Sequence, residues 1–355
     1  MIVKNEAHVV QRCLASVKHL IDSWVIVDTG SSDGTQEIIK DALKDIPGEI
    51  YERPWKNFGE NRNEALQLAE NKADYLLFID ADDVLELDDS FVLPDLSADL
   101  YSVLQKEGTQ TAREHHVCFL AKNQCFSWRG VVHEYLQAAR LPISRELLKG
   151  AKILYINDGN RSKDPNKVQG DIKLLLREIE SDPTDCRSIF YLARSYWSIY
   201  DGLMAMRYFA KRAEMGGDPL EVYHSLLYFA IAQKNLNLGP EIFLDSLCRA
   251  HLYRPTRAEA IYEMIRHYAE TQSYYLGYLL AKTAIDIPMT TDNLFVESWV
   301  YDWGVPLYFY VCATQVGATD EAKEMSRQLA KNPRMPDAIR ERFGLLKDLH
   351  PKGTV

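Results

Sequence analysis

Asp80 and Asp82 lie just past the apolar run Tyr75-Leu76-Leu77-Phe78-Ile79. Two carboxylates spaced i, i+2 at the end of a strand divide the work if the backbone turns there. One accepts ribose hydroxyls while the other ligates a hard divalent cation such as Mg²⁺ or Mn²⁺. Such a cation bridges a diphosphate and neutralises the charge that grows as the leaving group departs. Taken alone, the acid run Asp80–Asp89 reads as a solvated loop. Its context is more informative, because Phe58-Gly59-Glu60-Asn61-Arg62 opens a helix just upstream. From a helix start, Arg62 reaches a diphosphate or a base at the same crevice.

The elements that must position these groups alternate. Met1–Val3 leads through Lys4-Asn5-Glu6 into a helical face carrying Val9, Val10, Leu14 and Val17. Trp24–Val27 runs into Asp28-Thr29-Gly30-Ser31-Ser32-Asp33-Gly34-Thr35 and a helix from about Gln36 to Leu43. Continuously apolar strands separated by helices predict a mostly parallel, Rossmann-like α/β sheet covered on both faces. Ligands of open α/β sheets sit beyond the carboxyl ends of the strands. Here those ends carry Asn5, Glu6, Asp28, Asp80 and Asp82. No GxGxxG or Walker A pattern is present, which excludes the usual dinucleotide and P-loop readings.

The 355 residues carry a net charge of −10, which argues against nucleic acid as a partner. No apolar run approaches the length of a membrane span, and the first residues lack the order of a signal peptide. Six scattered cysteines without a CxxC pair read as reduced, mostly buried thiols. A cytoplasmic location is the expectation.

The segments MIVKNEA, VIVDTGSSDGT, FGENRNEAL and YLLFIDADD occur in the order found in family 2 glycosyltransferases with the GT-A fold, and residues 1–90 resemble that family. The resemblance implies metal-assisted, inverting transfer from a nucleotide-sugar, commonly a UDP-sugar, with Mn²⁺ or Mg²⁺ as cofactor. Carried across, Val3, Asn5 and Glu6 border the nucleoside, and Asp28 with Asp33 holds the base. Arg62 lines the base or diphosphate, Asp80 meets the ribose, and Asp82 holds the metal.

Further on, Gly130-Val131-Val132-His133-Glu134 resembles a segment of tandem glycosyltransferase–tetratricopeptide proteins. It makes His133 a candidate further metal contact and Glu134 the candidate general base, with Asp83 and Glu114 as rivals. An inverting displacement needs a carboxylate near the acceptor to take its proton. His115-His116 lacks a matching zinc spacing and reads as core or surface. Asn157–Pro165 is similar to a loop of the same tandem family, implying that Arg161, Ser162 and Lys163 close on the diphosphate.

From about Lys167 the pattern turns helical. Pro183, Pro219 and Pro255 recur at intervals of 36 residues, each opening a helix–turn–helix unit. That period predicts an all-α, tetratricopeptide-like repeat region. Its many tyrosines offer an acceptor-recognition surface or a homodimer contact, and the aromatics Trp299–Tyr310 read as packing of a terminal helix. The expected organisation is a GT-A domain over 1–158, a linking loop and helix over 159–182, and a repeat domain over 183–355. The expected acceptor is a peptide, a protein or a saccharide. The competing reading is an interaction scaffold whose transferase half is inactive.

Overall fold

The computed structural model describes residues 1–107 and 113–345; the side chains of residues 107 and 113–116 lie outside the described set. The side chains of Glu114, His115 and His116 therefore fall outside it. The chain divides into two compact units, Met1–Tyr191 and Leu192–Val355.

In the first unit, β1 (Ile2–Val3), β2 (Trp24–Asp28) and β3 (Gly48–Glu52) form a parallel sheet in that order. The helices α1 (Val10–Val17) and α2 (Thr35–Ala42) connect its strands. Val3, Val10, Leu14, Ile26, Ile39 and Leu43 make one buried core from these elements. The remaining strands are β4 (Tyr75–Leu77), β5 (Asp83–Leu87), β6 (Leu100–Glu107), β7 (Arg113–Lys122), β8 (Phe126–Arg129), β9 (Tyr135–Ala138) and β10 (Arg145–Tyr155). A five-stranded sheet runs β4-β7-β6-β10-β5, while β8 and β9 pair separately. Only β6–β10 is parallel within the larger sheet. The short connection between β6 and β7 leaves no room for a crossover helix, so these two strands pair antiparallel. Cys13, Ile79, Leu85, Tyr101, Val103, Phe119 and Ile153 form the core beneath it.

Two helices in this unit carry site residues. In α3 (Phe58–Ala69), Asn57 is the N-cap, accepting from the Glu60 N–H at 2.8 Å, while its amide donates to the Glu60 carboxylate. This reciprocal cap fixes the start of α3 and sets Arg62 in its first turns. α4 (Lys167–Ser181) follows the loop after β10 and buries Ile172 and Leu175.

The division between units falls inside α5 (Cys186–Ser198). The second unit continues with α6 (Gly202–Glu214), α7 (Pro219–Asn235), α8 (Pro240–Tyr253), α9 (Glu259–Glu270) and α10 (Tyr274–Ala284). The pairs α5/α6, α7/α8 and α9/α10 follow the 36-residue spacing read from the prolines. In α7 the device is explicit: Asp218 caps the helix and Pro219 occupies its first turn. After α10 come α11 (Val305–Val316), α12 (Thr319–Lys331) and α13 (Asp337–Arg342). Trp299, Tyr301, Tyr308 and Tyr310 pack on the apolar core of this unit, as expected from the sequence. All six cysteines are free, and only Cys13 and Cys312 are buried. The expectation of mostly buried thiols is therefore corrected: Cys248 is exposed on α8, and the others are half-exposed. No helix among the described residues is long and apolar enough to cross a membrane.

Candidate active site

Beyond the carboxyl ends of β1 and β2 the two following loops are laced together. Asn5 takes a positive φ of 57°, and its side-chain oxygen accepts from the Ser32 N–H at 2.8 Å. Thr35 accepts from the Glu6 N–H at 2.8 Å, and Asp33 accepts from Ala7 at 3.1 Å. Asp28 is fully buried, with one oxygen accepting the N–H groups of Gly30 and Ser31, both at 2.7 Å. Its other oxygen, Oδ2, has no hydrogen-bond partner among the described residues. Asp28 and Asp33 thus organise the turn, in which Gly30 and Gly34 supply the positive φ angles.

Arg62 joins segments far apart in sequence. Its Nε donates to Glu134 at 2.6 Å and an Nη to Asp80 at 2.7 Å. Its guanidinium lies 4.9 Å from the Trp128 ring centroid. The strand β8 is held to α3 by Asn63, whose side chain both donates to and accepts from the Trp128 backbone. Burial works against the Arg62 charge, but the Asp80 and Glu134 carboxylates outweigh it and hold the group protonated.

The loop after β10 is closed down on the acids. Asp82 accepts from the Gly159 N–H at 3.2 Å, and Glu6 accepts from the Asn160 N–H at 3.1 Å. A Cβ on Gly159 would lie 2.7 Å from the Asp82 carboxylate, so only glycine permits this approach. Arg12 clamps the loop, donating to both oxygens of Asp158 and to the Asp82 carbonyl. Burial raises the pKa of Glu6; burial and then the Asp80 charge raise that of Asp82.

A cleft of about 620 Å³ opens over these groups. Of the residues singled out from sequence, Val3, Glu6, Arg62, Asp80, Asp82, Arg161 and Ser162 line it. Lys4 and the α4 residues Lys167, Lys173 and Arg177 also line it. Arg161 pairs with Asp171 of α4 and lies 4.2 Å from the Phe58 ring centroid. Ser162 donates to the Gly159 carbonyl at 2.7 Å, and the Lys163 ammonium meets the His8 ring at 2.5 Å. Asn5, Asp28, Asp33, His133, Glu134 and Lys163 are not in the cleft lining. Glu134 connects to it through Arg62, whereas the His133 ring stacks on Tyr191 at 4.0 Å. Among the described residues no group of three or more His, Cys, Asp or Glu side chains is arranged to hold a metal by itself.

Sequence reasoning missed Arg12, Asp158, Trp128 and Asp171. No local signal pairs Arg12 with Asp158 across 146 positions. A clue did exist for Arg12, since it is polar on a helix whose buried face is Val10, Cys13, Leu14 and Val17.

Residues 1–96 match the model for Glycosyl transferase family 2. A TPR repeat-containing protein of Synechococcus elongatus is 38% identical over 89 residues, 25% of this chain and 21% of the relative. The glycosyltransferase SunS of Bacillus subtilis is 36% identical over 85 residues, 24% of this chain and 19% of the relative. The chain thus spans about a fifth of the length of these curated relatives. Among solved structures, MamA aligns with 49% of this chain and 93% of its own at 16% identity and a TM-score of 0.38. S. aureus TarS 1–349, solved with UDP-GlcNAc, covers 66% of this chain and 86% of its own at 12% identity and a TM-score of 0.37. In this chain the segment matched by the family model is followed, from α5 on, by the helix pairs α5/α6, α7/α8 and α9/α10.

Proposed function

We propose that the chain is a metal-dependent, inverting glycosyltransferase that moves a sugar from a UDP-sugar to a peptide, protein or saccharide acceptor. The observation that carries this reading is the Glu134–Arg62–Asp80 bridge, whose Arg62 and Asp80 line one cleft with Asp82 at the strand ends. In this proposal residues 1–158 are catalytic, 159–182 connect, and 183–355 recognise the acceptor, all in the cytoplasm.

Val3, Asn5 and Glu6 border the nucleoside, and Asp28 and Asp33 hold the loop that receives the base. Asp80 takes the ribose hydroxyls while Arg62 keeps its carboxylate oriented. Asp82 fits a hard cation: it is half-buried, and the neighbouring Asp80 charge makes a positive partner favourable. Asp82 would hold the cation, with His133 as a further candidate ligand. A bound Mn²⁺ or Mg²⁺ supplies charge neutralisation of the departing diphosphate.

Arg161, Ser162 and Lys163 cover the leaving group and exclude water once Arg161 exchanges Asp171 for the phosphates. Glu134 takes the acceptor proton as the nucleophile attacks opposite the leaving group. The rival Asp83 is only 5% exposed, and burial, followed by the Asp80 and Asp82 charges, pushes its pKa to about 8. Burial disfavours its charged form and so makes it a poorer proton acceptor than Glu134.

Calorimetry of UDP with Mn²⁺ and with a chelator tests the reading. Binding is expected with Mn²⁺ and should be lost on chelation and in Asp82→Ala, with helicity unchanged. Tight UDP binding that ignores both changes would remove Asp82 as the metal ligand. Absence of nucleotide binding under every condition would favour the scaffold.

A further inference from the structure

Helix α1 holds the backbone of the acid turn at three points. The Cys13 thiol donates to the Asp80 carbonyl at 3.2 Å, and an Nη of Arg12 donates to the Asp82 carbonyl at 3.1 Å. One turn on, the Ser16 hydroxyl accepts from the Leu85 N–H at 3.1 Å. Cys13 and Leu14 lie on the buried face of α1, whereas the Arg12 side chain is 38% exposed. From there one guanidinium reaches both the acid turn and the loop after β10.

On that loop Arg12 donates to the two oxygens of Asp158, at 2.9 and 2.7 Å. A bidentate contact of this kind fixes orientation as well as distance. It also keeps the Asp158 carboxyl below the usual carboxylate range, so the pair is charged at neutral pH. The His8 ring adds a contact to the same residue, with Nε2 2.9 Å from the Asp158 carbonyl. The next residue is Gly159, whose N–H donates to Asp82 Oδ2 at 3.2 Å. Asp82 is thus held at both ends. Arg12 fixes its carbonyl, and the loop that Arg12 clamps fixes a carboxylate oxygen. The outer partners of a ligating carboxylate set its orientation, and their loss typically costs about 10–100-fold in metal affinity.

We infer that Arg12 is a positioning residue for the divalent cation: bonded to Asp158 and to the Asp82 carbonyl, it sets through Gly159 how the Asp82 carboxylate is turned. The inference rests on the assignment of the cation to Asp82 in the proposed function. Arg12 is not in the cleft lining, so it acts through Asp82. Its pair with Asp158 is half-exposed, so breaking it strands no buried charge and leaves the fold intact.

Arg12→Met, Asp158→Asn and the double variant test this in the full chain by two readouts. In chelator, hydrogen exchange at the Gly159 and Asn160 amides is expected to be about fivefold faster in each variant. Calorimetry of Mn²⁺ in the presence of UDP should show affinity about tenfold weaker in Arg12→Met and no weaker still in the double variant, because both changes break one latch. Unchanged exchange at Gly159 in Arg12→Met would overturn the latch. Faster exchange with unchanged Mn²⁺ affinity would overturn its transmission to Asp82 and leave Arg12 a purely structural residue. Failure of the unaltered chain to take up Mn²⁺ with UDP would overturn the cation assignment and the inference with it, and is told apart from the other two failures by needing no variant.

Discussion

At the residue scale, the site is a problem of crowded carboxylates. Asp80, Asp82 and Asp83 lie within one turn of chain, and only Asp80 has a strong cationic partner, Arg62. The protein keeps Asp83 neutral by burying it, and its Oδ1 has no hydrogen-bond partner among the described residues. Its folded pKa of about 8 lies above the value of about 4 for an unfolded aspartate. A raised carboxyl pKa gives stability that is complete below the unfolded value and lost as pH rises through the folded one. Thermal melts in chelator should therefore show stability declining between about pH 4 and pH 8. Asp83→Asn should flatten that decline and be the more stable chain at pH 8, by on the order of a few kcal/mol. Identical pH profiles for the two chains would mean that Asp83 ionises freely. The sequence made Asp80, Asp82 and Arg62 legible because strand ends and helix starts are local signals. It could not show that Glu134 would reach Arg62, since that contact spans 72 positions and depends on β8 docking against α3 through Asn63.

At the scale of elements, the helices were easier to read than the strands. The proline spacing anticipated α5 to α10 because each unit repeats a helix, a short turn and a second helix. The strand β3 escaped notice because Gly48-Glu49-Ile50-Tyr51-Glu52 has only a short apolar centre and is half exposed. Likewise β10 begins at Arg145, before its apolar stretch, and its first three residues are exposed. Close helix packing is where small residues matter. A Cβ on Gly277 of α10 would sit 2.7 Å from the buried Cys312 sulfur of α11. Gly277→Ala should therefore cost about 1–3 kcal/mol through overpacking, despite the better helix propensity of alanine. Removing the obstructing sulfur should relieve it, so Gly277→Ala with Cys312→Ala is expected to melt above the Gly277→Ala single variant. Simple addition of the two single effects would locate the penalty elsewhere.

At the scale of the molecule, each unit has its own core. Cys13, Tyr101 and Phe119 anchor one; Tyr223, Ile265 and Phe309 anchor the other. The division falls within α5, so a clean cut at either end of that helix deprives one unit of residues it uses. Tyr191 stacks on His133 of the first unit, while Ala193 packs with Phe209 of the second. Overlapping fragments avoid this: residues 1–200 and residues 183–355 both retain α5 whole. The second fragment is expected to be helical by circular dichroism and to melt cooperatively, because its helix pairs bury their faces against one another. The first fragment should keep Mn²⁺-dependent UDP binding and slow hydrolysis of the UDP-sugar, because every cleft residue lies before Tyr191. Transfer to the acceptor should fall at least tenfold if the repeats present it. Transfer by residues 1–200 at the full rate would instead confine acceptor recognition to the family 2 part of the chain, leaving the repeats to bind something other than the substrate.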